Sequence, residues 1–164
     1  MLQLNRVLSI LLVIIGLSTV AIGQEIEIKG LKLGMTRAEV EAKAGPLPLK
    51  NFTVAGVHSK YTSVNLEFHE DKLDYFVFFF DSDDFDSVLE AIKAKYPSFQ
   101  CEKSTVTNRT GNSFTQVDCK LKDKLGFLHL SRFCNDINTS SLSLMSSRKI
   151  KELVTNRKKR KKDL

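Results

Sequence analysis

Alternating apolar and polar residues in the middle of the chain predict a β-hairpin. Val64, Leu66 and Phe68 alternate with polar residues, a pattern typical of a strand with one buried face. After a polar turn, Leu73–Phe80 returns as a second strand that is apolar at almost every position. The hairpin therefore joins a strand with one apolar face to a strand with two.

The second strand of this hairpin has two interpretations. A strand that is apolar on both faces is either central and covered, or it displays an aromatic stripe to a partner. Phe76, Phe78 and Phe80 share one face and are therefore the candidate partner-binding residues. We expect the opposite face, which includes Tyr75, to continue the apolar face of Leu66.

Apolar residues at helical spacing predict two short helices, one before and one after this hairpin. The first begins at Thr36, which forms a capping box with Glu39, and it ends at Gly45. The second spans Asp84–Lys95 and ends before Pro97. Helices this short are stable only when they pack on another element, and we expect that element to be the sheet.

The segment between residues 100 and 120 predicts a second hairpin whose register can be calculated. Asn108 and Asn112 flank a three-residue loop that ends in Gly111, as in the common type I turn followed by a bulge. If the two asparagines face each other, Cys101 lies directly opposite Cys119, at a separation that a disulfide accepts. The alternative is a pair of opposed thiols. We predict the disulfide Cys101–Cys119.

A third strand, Gly126–Cys134, is expected to follow this hairpin. Cys134 then has no partner in the sheet, so it is either a free, half-buried thiol or the site of an intermolecular bridge. Short helices followed by strands occur twice along the chain. This order predicts an α+β fold of short helices packed on an antiparallel sheet, and it suggests two helix-plus-three-strand halves.

The two ends of the chain differ in character from its middle. Residues 1–23 contain an arginine, an apolar run at Val7–Leu17 and small residues before Gln24, the layout of a cleavable signal peptide. A membrane anchor is the alternative. We expect three regions: a signal peptide (1–23), an α+β domain (24–137), and a Ser/Thr-rich connector with a basic C-terminal tail (138–164). A signal peptide implies a periplasmic or secreted protein, in which a disulfide is favoured.

Positive charge is concentrated at the C-terminal end. From position 148 onward there are nine basic and two acidic residues, whereas positions 24–147 hold fifteen basic and seventeen acidic ones. Ile150, Leu153 and Val154 fall at helical spacing and predict a short amphipathic helix capped by Ser146 or Ser147. Six consecutive residues after it are candidates for binding an anionic surface: Arg157, Lys158, Lys159, Arg160, Lys161 and Lys162. The alternative is a solvated, disordered tail.

No motif in the sequence predicts catalysis or a cofactor. The three histidines, His58, His69 and His129, have no metal-ligand spacing. Four acidic residues near the start of the second helix lack the glycine and the glutamate of a calcium loop, and the helix dipole explains them: Asp81, Asp83, Asp84 and Asp86. The sequence has no nucleophile elbow or phosphate loop. It therefore predicts a protein that is not an enzyme and holds no cofactor or metal.

A glycine-turn-helix motif near the start of the predicted domain resembles a known family. The residues that carry it are Gly30, Gly34, Met35, Thr36, Glu39, Val40, Ala44, Gly45 and Pro46. They resemble the opening of the SmpA/OmlA (BamE-like) outer-membrane-associated domains, in which such a stretch leads into an antiparallel three-stranded sheet. The order of elements is similar to that of the β-lactamase-inhibitor proteins, which hold two such units in tandem. The resemblance implies a bacterial envelope protein and transfers no catalytic residue.

Together these features predict an exported, non-catalytic binding or accessory protein of the bacterial cell envelope. We expect its partner to be another envelope protein, with the basic tail contacting an anionic surface. No nucleic acid is expected as a partner, because export separates the protein from it. The alternative is a secreted or periplasmic inhibitor that blocks the active site of an enzyme.

Overall fold

A computed structural model describes residues 25–108, 110–134 and 136–162 of the chain. The predicted signal peptide, residues 1–23, lies outside the described residues. The helices are α1 (Arg37–Ala44), α2 (Phe85–Lys95, after a 3₁₀ turn at Ser82–Asp84) and α3 (Ser147–Lys162). The strands are β1 (Thr53–Val54), β2 (Val57–His58), β3 (Asn65–His69), β4 (Lys72–Asp81), β5 (Gln100–Thr107), β6 (Ser113–Lys122), β7 (Gly126–Ser131) and β8 (Thr139–Ser146).

Six of the strands form one antiparallel sheet in the order β3-β4-β8-β7-β6-β5, and β1 pairs with β2 in a separate small hairpin. The fold is α+β, with few and short helices beside an antiparallel sheet, as the sequence predicts. Two strands of the large sheet precede α2 and four follow it. The suggested division into two helix-plus-three-strand halves is therefore not the observed arrangement.

The two predicted short helices form where the sequence places them. At the start of α1, the hydroxyl of Thr36 accepts a hydrogen bond from the Glu39 amide (3.2 Å), and the Glu39 carboxylate accepts one from the Thr36 amide (2.6 Å). This capping box fixes the first turn, and Val40 is buried one residue later. In α2, the buried residues Phe85 and Val88 lie one turn apart, on the side that packs against the sheet.

The β5–β6 hairpin has the calculated register. The Asn108 amide donates to the Asn112 carbonyl (2.9 Å), and Cys101 pairs with Cys119 further down the strands. Gly111 has a φ of 85°, the left-handed conformation that this turn requires. The disulfide Cys101–Cys119 is formed, so the prediction is confirmed. It links the edge strand β5 to the rest of the sheet.

The segment expected to be a loose connector is instead the strand β8, in the middle of the sheet. Leu142 pairs with Phe78 of β4 on one side and with Leu130 of β7 on the other. Composition misleads here because serines are common in loops, whereas the pairing partners on both sides supply the hydrogen bonds that hold the segment extended. Close approach of β7 also requires a glycine, since a Cβ atom on Gly126 would lie 2.0 Å from the Met145 carbonyl oxygen.

The strand predicted as Gly126–Cys134 is shorter than expected, because β7 ends at Ser131. Beyond it the chain turns toward β8, and the Asn138 amide donates to the Asp136 carboxylate (2.8 Å) within that turn. Cys134 lies before this turn rather than in the strand, where it forms an isolated pairing with Asp136. It is a free, half-buried thiol.

The hydrophobic core lies between one face of the six-stranded sheet and a layer made by α1, α2 and the segment before β3. We call this face of the sheet the inner face, and the opposite one the outer face. Fully buried residues on the inner face are Phe76, Phe78, Phe80, Leu128, Leu130, Leu142 and Leu144. The covering layer includes Tyr96, whose buried hydroxyl donates to the Glu27 carbonyl (3.0 Å) and accepts from the Glu27 amide (2.8 Å). Within the described ranges, no helix has both the length and the apolar character that crossing a bilayer requires.

Candidate functional site

The two faces of β4 have different surroundings. Phe76, Phe78 and Phe80 lie on the inner face and have no exposed surface. The ring of Phe52, from the covering layer, lies 5.7 Å from that of Phe76 and 6.2 Å from that of Phe78. The prediction that these three phenylalanines bind a partner is therefore wrong. They are covered because removing three aromatic side chains from water is among the largest hydrophobic gains available to a small domain.

The β3–β4 register also corrects one expectation about these faces. Leu66 pairs directly with Phe76, and directly opposed residues of an antiparallel pair share a face. Leu66 is thus on the inner face, not with Tyr75 as expected. The cause is a register shift: Glu67 pairs with Tyr75 but Phe68 pairs with Leu73. Asp74 is therefore an extra residue in β4, which puts Leu73 and Phe76 on the same face.

The outer face is polar along the middle of the sheet. One cross-strand row runs from β4 to β5 through Phe79, Ser141, Ser131, Asp118 and Glu102. The next row runs through Val77, Ser143, His129, Lys120 and Gln100. The inner-face row between them holds Phe78, Leu142, Leu130, Cys119 and Cys101. The same strands therefore present an apolar surface on one side and a hydroxyl-rich surface on the other.

The polar side chains at the centre of the outer face form a hydrogen-bonded group. The Gln116 amide nitrogen donates to the Ser131 hydroxyl (2.9 Å) and to the Asp118 carboxylate (3.1 Å). The other oxygen of Asp118 lies 3.2 Å from Nε2 of His129. Burial lowers the pKa of His129 below its ordinary value, although Asp118 opposes this effect. Among the described residues, no serine hydroxyl hydrogen-bonds to the imidazole, so the group lacks the arrangement of an activated nucleophile.

Apolar side chains flank this polar centre at one end of the sheet. We call them the apolar margin: Tyr61, Phe79, Val106, Phe114, Phe133 and Ile137. The ring of Tyr61 packs on that of Phe79 at 5.5 Å, and Phe114 packs on Phe133 at 6.0 Å. Val106, Phe114, Phe133 and Ile137 line a groove of about 540 Å³. The margin thus consists of two packed aromatic pairs with aliphatic neighbours.

Helix α3 lies against the opposite end of the outer face. Arg148 Nε donates to Asp74 Oδ1 (3.2 Å), and Lys149 Nζ donates to Glu67 Oε2 (2.6 Å). The predicted cap is confirmed, because the Ser146 hydroxyl accepts a hydrogen bond from the Lys149 amide (3.0 Å). Burial acts to raise the pKa of Asp74, but hydrogen bonds from Arg148 and Ser146 outweigh it, and the pKa is lowered overall. These contacts fix the first turn of α3 on the sheet.

The basic residues predicted to bind an anionic surface lie in the last turns of α3, which continues to Lys162. Lys158 and Lys159 are exposed. The side chains of Arg157, Arg160, Lys161 and Lys162 lie outside the described part of the structure. The expectation of a disordered tail is thus replaced by a helix over these positions.

The acidic residues near α2 have a local role. The Asp81 carboxylate accepts a hydrogen bond from the Asp83 amide (3.1 Å) and caps the 3₁₀ turn before α2. Within residues 25–108, 110–134 and 136–162, no group of three or more His, Cys, Asp or Glu side chains is placed to hold a metal ion. Turn formation and the helix dipole explain these carboxylates without a ligand.

Compared with models of known protein families, with curated proteins and with solved structures, the chain has no match. The resemblance of the glycine-turn-helix motif to the SmpA/OmlA domains therefore stays a prediction.

The sequence analysis missed the outer face as a candidate site. Much of its centre comes from β8, which was expected to be a connector, and the apolar margin collects residues from five separate segments. One sequence signal could have found the centre: serine and leucine alternate from Ser141 to Leu144, the period of a strand with one buried face.

Proposed function

We propose that this protein is an exported, non-catalytic binding protein of the bacterial cell envelope, and that the outer face of its sheet holds a folded partner protein. The observation that carries the proposal is the apolar margin. Its residues Tyr61, Ile137 and Val106 are 53%, 42% and 38% exposed, respectively. Val106 and Ile137 line the same groove, and large apolar side chains exposed together, rather than singly, are typical of protein interaction sites.

The centre of the outer face supports the same proposal. Ser131, Ser141 and Ser143 are only 7%, 6% and 5% exposed and carry no charge, so a partner that covers this centre removes few ionised groups from water there. Charged residues such as Glu102 and Lys120 lie toward the β5 edge. A centre with few charges and a charged periphery is the common arrangement of protein–protein interfaces.

Two further observations favour binding over catalysis and an extracytoplasmic location over a cytoplasmic one. Among the described residues, no serine hydroxyl hydrogen-bonds to the imidazole of His129, whose Nε2 lies 3.2 Å from an oxygen of Asp118. The disulfide Cys101–Cys119 is compatible with an oxidising extracellular or periplasmic compartment. Both observations support the class of protein that we propose, and the partner is identified by the experiment below.

The proposal can be tested by site-specific photo-crosslinking in cells. A photoreactive phenylalanine at position 61 or 137 should give an adduct with the same partner, whereas one at Glu90, on α2, should give none. The adduct should disappear when Ile137→Asp is added to the position-61 probe. The matched control is Leu125→Asp, because Leu125 is 41% exposed but lies in the β6–β7 turn, at the other end of the sheet.

The identity of the adduct separates the two functions that the sequence left open. A membrane or periplasmic envelope protein would support an accessory role in the envelope, and a soluble hydrolase would support an enzyme inhibitor. Adducts at Glu90 equal to those at position 61, or equal effects of Ile137→Asp and Leu125→Asp, would show that the outer face is not the interface.

A further inference from the structure

Helix α3 has two halves with different surroundings. Its first half is held on the sheet, where Lys149 is buried and contacts both Glu67 (2.6 Å) and Glu152 (3.0 Å). Its second half, from Thr155 onward, has no apolar residue and contains six consecutive basic residues. The position of the basic half is thus set by the anchored half, and it projects from the sheet as a helix.

The sequence of the basic half gives it little helix stability of its own. A helix that is polar all round buries no apolar stripe, and like charges three and four residues apart repel each other. Cations in the last turn interact favourably with the helix dipole, which offsets part of this repulsion. An anionic partner would remove the remaining repulsion, so this half is arranged to bind negative charge.

A groove with apolar walls and cationic neighbours lies beside α3. It has a volume of about 450 Å³ and is lined by Lys120, Phe127, His129, Met145, Ile150, Leu153 and Val154. Leu153 and Val154 are 40% and 48% exposed, so both reach the surface. The Nζ atom of Lys122 lies 5.5 Å from the ring centroid of Phe127. Exposed apolar side chains and lysines of the sheet therefore lie next to the basic helix.

We propose that α3 and this end of the sheet dock the protein on an anionic bilayer surface. The lysines and arginines contact the lipid headgroups, and Leu153 and Val154 enter the boundary between headgroups and acyl chains. Charge supports this occupant: positions 148–164 carry nine basic and two acidic residues, while positions 24–147 carry fifteen and seventeen. Basic residues next to exposed apolar ones are how peripheral segments bind anionic membranes. The site shares Lys120 and His129 with the outer-face centre but lies at the opposite end of the sheet from the apolar margin, and it does not depend on the proposed partner protein.

The test is cosedimentation of the full-length protein with vesicles, either pure phosphatidylcholine or phosphatidylcholine with one quarter phosphatidylglycerol. Because residues 1–23 are apolar and common to all variants, the measured quantity is the ratio of the two affinities. We expect a ratio of at least about tenfold that falls as salt is raised. The double variant Lys158→Glu/Lys159→Glu should reduce binding to the anionic vesicles on the order of 25-fold or more, since each positive charge contributes about fivefold.

The matched control is Lys43→Glu/Lys93→Glu, which changes the net charge equally but on α1 and α2, in the layer that covers the inner face. It should alter binding less than about twofold, and circular dichroism should show that both double variants fold like the wild type. Leu153→Ser/Val154→Ser should weaken vesicle binding severalfold without changing its salt dependence.

Three outcomes would overturn the proposal. The protein could bind equally well to vesicles with and without phosphatidylglycerol. The control variant Lys43→Glu/Lys93→Glu could also lose as much affinity as Lys158→Glu/Lys159→Glu. Duplex DNA or polyglutamate could also bind more tightly than the anionic vesicles, with no effect of Leu153→Ser/Val154→Ser. That last result would assign α3 to a nucleic acid or an acidic protein instead of a membrane surface.

Discussion

The two faces of the six-stranded sheet are made by the same strands, yet one is an apolar core and the other has a polar centre. Phe78 and Phe79 are neighbours in sequence, and Phe78 is fully buried while Phe79 is only partly buried. Strand β8 places Leu142 opposite Phe78 and Ser141 opposite Phe79, but Phe80 is fully buried although Ser140 lies opposite it. A phenylalanine of β4 thus becomes part of the core when the layer of α1, α2 and the segment before β3 covers its face of the sheet. The apolar character of its own strand does not decide this.

Among substitutions that test the difference between the two faces, we expect the largest loss of stability on the inner face. Phe78→Ala should lower the free energy of unfolding by roughly 3–5 kcal/mol, because it empties a fully buried aromatic site. Phe79→Ala should cost much less, on the order of 1 kcal/mol, because the ring is partly exposed and Tyr61 is its main aromatic neighbour. Urea denaturation of the two variants measures both values. Equal losses would mean that the outer face is as covered as the inner one.

Removal of the disulfide, which links the inner-face row to the edge strand, should cause the next largest loss of stability. The double variant Cys101→Ala/Cys119→Ala should lose about 3 kcal/mol, mostly because the unfolded chain gains freedom over the intervening loop. Cys134→Ala should stay close to wild type. Non-reducing peptide mapping gives the linkage independently of stability, and a bond from either strand cysteine to Cys134 would contradict the register.

The contact between α3 and the sheet should have a smaller effect that depends on pH. The pKa of Asp74 is lower in the folded state than in the unfolded one, so its interaction stabilises the protein above the unfolded pKa of about 3.9. This stabilisation is lost as the pH falls through the lower folded pKa. Asp74→Asn should therefore be less stable than wild type at pH 7, by less than the disulfide variant. The difference should shrink as the pH approaches 3.

Thermal midpoints measured across this pH range test the prediction. A difference between Asp74→Asn and wild type that is constant from pH 7 to pH 3 would show that Asp74 acts through packing alone. Ser146→Ala removes the second donor to Asp74 and also the cap of α3 while leaving Arg148 in place, so part of its loss should not depend on pH.

The smallest effect is expected from the centre of the outer face. Ser141→Ala should change the free energy of unfolding by only about 0.5 kcal/mol, because the buried serine loses a single hydroxyl and no large cavity forms. Differential scanning calorimetry is sensitive enough to measure it. A loss of several kcal/mol would mean that Ser141 is packed as tightly as Leu142.

The features that the sequence predicts correctly are local ones. The capping box of Thr36 and Glu39 spans one helical turn, and the β5–β6 register follows from a three-residue loop next to Asn108. In each case the residues that interact lie close together in the chain, or are aligned by one turn. Simple geometry therefore extends the prediction as far as the disulfide.

The features that the sequence did not predict depend on distant partners. Strand β8 is extended because β4 and β7 pair with it on both sides, and only the pairing explains why a serine-rich segment is not a loop. The extra residue Asp74 in β4 similarly changes which residues of β4 share the face of Leu66, without any glycine or proline to mark it. Covering of Phe76 by Phe52 is also a contact between distant segments. Each of these contacts forms because its free energy is lower than that of alternative pairings. A local sequence pattern does not contain that comparison.

The central position of β8 has a consequence for the order of folding during biosynthesis. As the ribosome makes the chain, the β3–β4 hairpin and the β5–β6–β7 meander emerge first, each with one long edge unpaired. Only Thr139–Ser146 can join them, and until it is synthesised the two pieces cannot close into one sheet. Pairings between such distant segments form slowly, and open strand edges promote aggregation. The six-stranded sheet can therefore close only late in synthesis, after Thr139–Ser146 has been made.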